Sequence, residues 1–201
     1  HRQISNASIS FSQRMGFAKL DSRSIRVPSL GAAAKTLSHV DALLLACIHR
    51  AGHFSEIGER LIWLYDIHLL TGVLSQEDFD VLIERAGGLE IRGLCADALT
   101  ASNDWFATHI PVGVIEVLQQ GANHEASLAL LIPGRASRIR NTLLMDLQQI
   151  SSWRERGRLL LQRLFPPADY MLWRYRIMHT SLLPLFYIYR IFQGFFLFMR
   201  G

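Results

Sequence analysis

Residues 38–74 read SHVDALLLACIHRAGHFSEIGERLIWLYDIHLLTGVL, and the periodicity of this stretch decides the fold. Ser38 followed by Asp41 is a capping-box start, S-x-x-D, in which a hydroxyl and a carboxylate answer backbone N–H groups that a helix leaves open. Val40, Leu43, Leu44, Cys47 and Ile48 recur at helical spacing, and Leu45 and Ala46 carry the apolar surface round most of the circumference. Such a helix is buried rather than laid on a surface. A turn is expected from His53 to Gly58, with Glu56 and Glu59 suited to the positive end of a second helix. That helix carries Leu61, Ile62, Trp63, Leu64, Tyr65, Ile67, Leu69 and Leu70, and Gly72 stops it.

The polar residues of the hairpin carry the functional information. His49 and His53 are four apart and share a face, with Arg50 beside them. Asp66 falls in an otherwise apolar helix, and a buried carboxylate needs a partner because leaving it alone costs several kcal/mol or more. Counting back from the turn brings Asp66 opposite Ala46, within a turn of His49 and Arg50. A cluster of Asp66 with His49 or Arg50 is therefore expected. Three roles are open to it: a network that fixes the hairpin, a contact to substrate or nucleotide, or metal ligation. HxxxH without a third near ligand is weak support for the last.

The run HxxxH followed by RLIWLYDIHLL resembles a bacterial nucleotidyltransferase family of the polymerase-β-like superfamily, whose members read LLLxCxHxxxH … RLxWLxDIxLL after a small catalytic domain. The resemblance continues at both ends. HRQISN at residues 1–6 is similar to a strand the family writes DLHWRISN. LFPPADYML and SLLPLFYIYRIFQG are similar to its LFPxxxYM … LLPLxYxxRxxxG. The likeness implies metal-dependent transfer of a nucleotidyl group from an NTP to an acceptor, with Mg²⁺ as cofactor. On this reading His49, Arg50, His53, Arg60 and Asp66 are the residues expected to line or brace the substrate site.

In that superfamily a Gly-rich turn and a D-x-D pair, with a third acid on a neighbouring strand, hold the divalent ion, because hard oxygen ligands are what position Mg²⁺ on a triphosphate. No Gly-rich turn followed by D-x-D occurs in the chain, and Asp78 with Asp80 lies in a surface-like helical pattern. If HRQISN is the family strand, the third acid belongs just before His1. The expectation is a C-terminal portion that does not catalyse alone and holds no metal alone, so whether this chain is itself an enzyme stays open. The other function class is a non-catalytic helical binding module, peripheral at a membrane.

With 201 residues the chain has enough length for a sizeable core. It starts with His and shows no charged-then-apolar leader, which gives no sign of a signal peptide. Cys47 and Cys95 lack C-x-x-C spacing and sit in apolar helical contexts, as buried thiols of a reducing compartment do, so the cytoplasm is expected. P-loop, G-x-S-x-G and G-x-G-x-x-G patterns are absent, which removes the common NTPase, hydrolase and dinucleotide readings. His109 and His124 stand alone, as surface or capping residues.

Three regions follow. Residues 1–37 are a remnant of the catalytic domain and a linker: HRQIS and SIRVPSL are strand-like, Pro28 argues against a central strand, and Ser10 to Leu20 is a short helix or an arm. Arg2, Arg23 and Arg26 are either solvated or turned to an anionic substrate. Residues 38–134 form a helical bundle. Ser75 with Asp78 starts a third helix that ends at Gly87-Gly88, a fourth runs from about Ile91 to Phe106, and Pro111 opens a short one through Leu118. The fold class is mainly α, or α+β if the short N-terminal strands pair.

Residues 135–201 are basic and aromatic. They hold 11 arginines against 3 acids, net +8, whereas residues 1–134 carry net −4. Nothing in this pattern specifies a nucleic acid. Helices are expected over about 138–148, over Trp153 to Leu164 up to Pro166-Pro167, and over Tyr170 to Tyr175. Ser181 to Met199 is near the length of a bilayer span, but Arg190 and Gln193 sit at its centre, where an arginine costs about 2.5–3.5 kcal/mol even on the lenient scale. Three settings are open for residues 181–201: packing back on the bundle, lying on an anionic membrane surface, or spanning the membrane.

Overall fold

The computed structural model describes residues 15–131, 143–144, 146–147, 150 and 152–200. Within them the fold is mainly α with one small sheet. After α1 (Phe17–Ser22), strand β1 (Ile25–Arg26) pairs antiparallel with β2 (Lys35–Thr36), Ile25 opposite Thr36. The strand expected in SIRVPSL therefore forms at Ile25–Arg26 and pairs with Lys35–Thr36, a strand the sequence did not announce, and Pro28 opens the 3-10 turn between the two. HRQIS and Arg2 lie outside the described residues.

Helix α2 (His39–Ile57) begins as the sequence requires, with Ser38 Oγ accepting from the Asp41 N–H at 3.2 Å. It runs further than expected. Residues 53–57 continue the helix, and the turn is Gly58 to Arg60, with Gly58 at a φ of 71° that favours glycine. Helix α3 (Leu61–Gly72) then ends where Gly72 predicts. Helix α4 (Gln76–Leu89) opens on a complete capping box: Ser75 Oγ accepts from the Asp78 N–H, and Asp78 Oδ2 accepts from the Ser75 N–H at 2.9 Å.

Gly87-Gly88 does not end α4. Glu90 turns left-handed at φ 55°, and the N–H groups of Glu90 and Ile91 bond back to the Gly87 and Ala86 carbonyls, a Schellman closure two residues later. Gly87 has a packing reason instead: a Cβ there would stand 2.3 Å from Nη2 of Arg92. Helices α5 (Arg92–Phe106) and α6 (Val114–Gln120) follow, then a 3-10 turn (Ala126–Leu131). Helix α6 starts three residues beyond Pro111, after Gly113 in the left-handed region.

Helix α5 is the hub, touching α2, α3, α4, α6 and the 126–131 turn. Its Leu94, Cys95, Ala98 and Leu99 are fully buried against Leu43, Leu44 and Ile48 of α2, Ile67 of α3, Leu82 of α4 and Leu118 of α6. Small residues let the helices approach: a Cβ at Gly93 would meet Leu128 at 2.3 Å. Side chains of this kind contribute about 1.5–3 kcal/mol each on full burial.

Most of the helix expected over 138–148 lies outside the described residues. Helices α7 (Trp153–Leu164), α8 (Ala168–Tyr175) and α9 (Leu183–Arg200) follow the sequence reading closely. Helix α9 packs on α7, α8 and the short turn Thr180–Leu182. Tyr187 donates to the Pro166 carbonyl at 2.7 Å, and Tyr175 packs on Phe186. Among the described residues no helix is long and apolar enough to cross a membrane.

Candidate functional site

The residues singled out in sequence gather where the second half of α2 meets the start of α3, with one exception. His49 and His53 share a face, ring centroids 4.7 Å apart, and Trp63 closes a three-ring cluster at 5.6 Å from His49 and 5.7 Å from His53. The guanidinium of Arg60 lies over the Trp63 ring at 5.7 Å. His49 and Arg60 are exposed, and His53 and Trp63 are half-buried. The surface thus offers aromatic faces for stacking, imidazole nitrogens for hydrogen bonds and a cation for an anionic group.

Arg50 lies beneath this cluster and is buried, 3% exposed. Its Nε stands 3.0 Å from both carboxylate oxygens of Glu59, Nη2 meets Glu59 again, and Nη1 pairs with Asp97 on α5. Burial alone would pull the guanidinium pKa down, but the hydrogen bonds to Glu59 and Asp97 outweigh it and hold the pKa above its ordinary value. Arg50 also lies over the Phe54 ring at 5.4 Å. It is a brace for the turn between α2 and α3.

Asp66 is the exception, and the expected cluster with His49 or Arg50 does not form. The carboxylate is exposed and makes no ion pair among the described residues. Helix α3 buries only Leu64, Ile67 and Thr71, so it is not apolar-in all round; Leu61, Ile62, Tyr65 and Leu69 face outward with Asp66. The later turn also shifts the level at which α3 crosses α2. Asp66 stands one helical turn beyond Trp63, at the margin of the ring cluster.

The buried carboxylate of the hairpin is Asp41, which the sequence offered only as a cap. It is fully buried, takes a bidentate pair from Arg23 at 2.9 Å on both arms, and meets Arg85 of α4 at 3.1 Å. Arg23 is therefore committed to structure rather than turned to a substrate. Arg26 is exposed on β1.

Two further arrangements escaped the sequence reading. Ser102 and Thr108 share a buried hydroxyl pair at 2.7 Å that reaches the Leu64 carbonyl and His68 Nδ1, tying α3 to the end of α5. Cys47 and Cys95, 48 positions apart, are both buried and free, and their thiols lie within hydrogen-bonding reach across α2 and α5. That bond, together with burial, holds the Cys95 thiol well above 9.0. Away from the ring cluster, a shallow depression is lined by Gly87, Arg92, Gln120, Gly121 and His124, with Arg92 Nε buried and without a hydrogen-bond partner among the described residues.

The described residues do not fit a Mg²⁺ site: no three or more His, Cys, Asp or Glu side chains among them come together in a group that could hold a metal ion.

The described helices form a bundle that carries this aromatic and basic surface where α2 meets α3. A family model described as "uncharacterised nucleotidyltransferase" matches residues 1–107, more than half of the chain and the whole of the stretch that builds the cluster. The chain belongs to that nucleotidyltransferase family. Comparison with curated proteins and with solved structures gave no match.

Proposed function

We propose that this chain supplies the helical part of a nucleotidyltransferase that shapes the acceptor side of its site, and that it does not catalyse alone. The reaction is transfer of a nucleotidyl group from an NTP to an acceptor, assisted by Mg²⁺ held on carboxylates that come from outside these 201 residues. In this reading His49, His53, Arg60 and Asp66 meet substrate, while Arg50 fixes the turn that presents them. The observation that carries it is the ring cluster of His49, His53 and Trp63 with Arg60 over it, inside the matched region. Two buried free thiols favour a reducing compartment, the cytoplasm.

The test is the coding sequence upstream of His1. A Gly-rich turn followed by D-x-D sustains the proposal; a stop codon or an unrelated domain there overturns it. A second reading, a helical binding module peripheral at a membrane, is favoured by one observation: α9 leaves an apolar face uncovered.

A further inference from the structure

We infer that α9 docks on an anionic lipid surface, lying along it with its apolar side in the acyl–headgroup boundary. The inference rests on the peripheral-membrane reading and adds the face of α9 and the residues that meet the lipid. Leu185, Ile188, Phe192, Phe195, Phe196 and Met199 recur at three- and four-residue intervals and are each 53–68% exposed. Tyr189 belongs to the same stripe. At 1.5 Å per residue the stripe is about 21 Å long. It points away from the protein's own packing, because Tyr187 and Arg190 on the other side hold α9 to the Pro166 carbonyl, the Arg163 carbonyl and the Tyr170 ring.

Charge names the partner. Residues 152–200 contain eight arginines and only two acids, Glu155 and Asp169. Arg154, Arg158, Arg174 and Arg176 are exposed and make no ion pair among the described residues. Arg174 and Arg176 flank Tyr175, whose ring touches Phe186 and the stripe residue Tyr189. Two exposed arginines thus adjoin, in the chain, a residue that touches the apolar face, and Trp173 and Met178 near them are exposed as well. An apolar stripe on a segment rich in exposed arginines matches an anionic interface, where acyl chains take the aromatics and headgroups take the cations. A second copy is a poor occupant: pairing two such helices sets arginine against arginine with few acids to answer them. A nucleic acid would meet the arginines and leave the stripe in water.

The experiment is sedimentation of the full chain with vesicles of phosphatidylcholine alone and of phosphatidylcholine mixed with phosphatidylglycerol, alongside its mass in solution by light scattering. Binding to the mixed vesicles, weakened by salt, is expected. Phe192→Glu and Phe196→Glu should each weaken it at least about tenfold, and Arg174→Gln and Arg176→Gln about fivefold each. These side chains are solvent-facing, so unchanged far-ultraviolet circular dichroism is expected of the variants. Equal binding to both vesicles overturns the anionic assignment and leaves the membrane reading standing. Wild-type binding by the phenylalanine variants overturns the role of α9 and likewise leaves that reading. No binding to either vesicle removes both. A dimer that Phe192→Glu dissociates assigns the face to a second copy instead.

Discussion

Arg50 and Asp97 are 47 positions apart and meet side chain to side chain, binding the second half of α2 to α5. Glu59 joins from the turn, so one buried guanidinium sets the spacing of three elements. At the other end of α2, Asp41 does the same with Arg23 and Arg85. The helix that carries His49 and His53 is thus pinned near both ends by charge as well as along its length by Leu43, Leu44 and Ile48.

The two halves of the Arg50 network should respond unequally to mutation. Arg50→Met removes the buried charge and leaves two carboxylates that reach water, Glu59 being 25% and Asp97 45% exposed. Its cost should be about 1–3 kcal/mol. Glu59→Gln with Asp97→Asn leaves the buried guanidinium unanswered and should cost more, about 3–5 kcal/mol. Urea midpoints at neutral pH test the order, and a cheaper double variant would refute the assignment of Arg50 as the buried member.

The capping box of α4 makes a pH prediction. Hydrogen bonds from the Ser75 backbone N–H and the Ser75 hydroxyl hold the Asp78 carboxyl below its ordinary 3.8. A carboxyl lowered in the folded state stabilises above the unfolded value, and the contribution is lost as pH falls through the folded one. Asp78→Asn should therefore flatten the acid limb of stability below about pH 4, and Ser75→Ala should cost about 1 kcal/mol at neutral pH. Thermal melts across that range read both effects.

Much of this is legible in the sequence, and each failure has a physical cause. The caps Ser38 and Ser75, the stop at Gly72 and the span Trp153–Leu164 are local signals, and each appears where the spacing puts it. Asp66 failed because an all-round apolar pattern does not say which side faces in; Leu61, Ile62 and Tyr65 turned outward and took Asp66 with them. The Arg50–Asp97 and Cys47–Cys95 meetings join α2 to α5, and no periodicity within one helix reports a partner on another. Glycines 87 and 88 misled because a glycine pair reads as a stop, whereas here Gly87 makes room for Arg92 and Glu90 supplies the left-handed turn.

The paired thiols should be inert in the native chain. Cys95 is wholly buried and its pKa is raised, first by the bond with Cys47 and then by burial, so little thiolate is exposed to a disulfide reagent. Both buried cysteines should react with the reagent only on unfolding, at a rate that falls with added stability. A thiol whose folded pKa is raised gives stability that is complete below the unfolded value and lost as pH rises beyond it. Stability should therefore decline above about pH 9, and Cys95→Ala should soften that decline. Rapid labelling of native protein at neutral pH would contradict the packing of α2 on α5.

The ring cluster yields the functional prediction. His49 and Arg60 are exposed, so His49→Ala and Arg60→Ala should change stability by no more than about 0.5 kcal/mol. Placed in a protein that carries the Gly-rich turn and D-x-D, each should nevertheless lower kcat/KM for the acceptor by about tenfold, the loss of one charge-assisted or stacking contact. Trp63→Ala should cost more in both measures, since its ring is half-buried and supports both histidines. Asp66→Asn separates the margin of the cluster from its centre: a raised acceptor KM with an unchanged urea midpoint puts Asp66 in contact with substrate. Unchanged kinetics in all four variants would move the acceptor surface off this hairpin and leave α2 and α3 a purely structural pair.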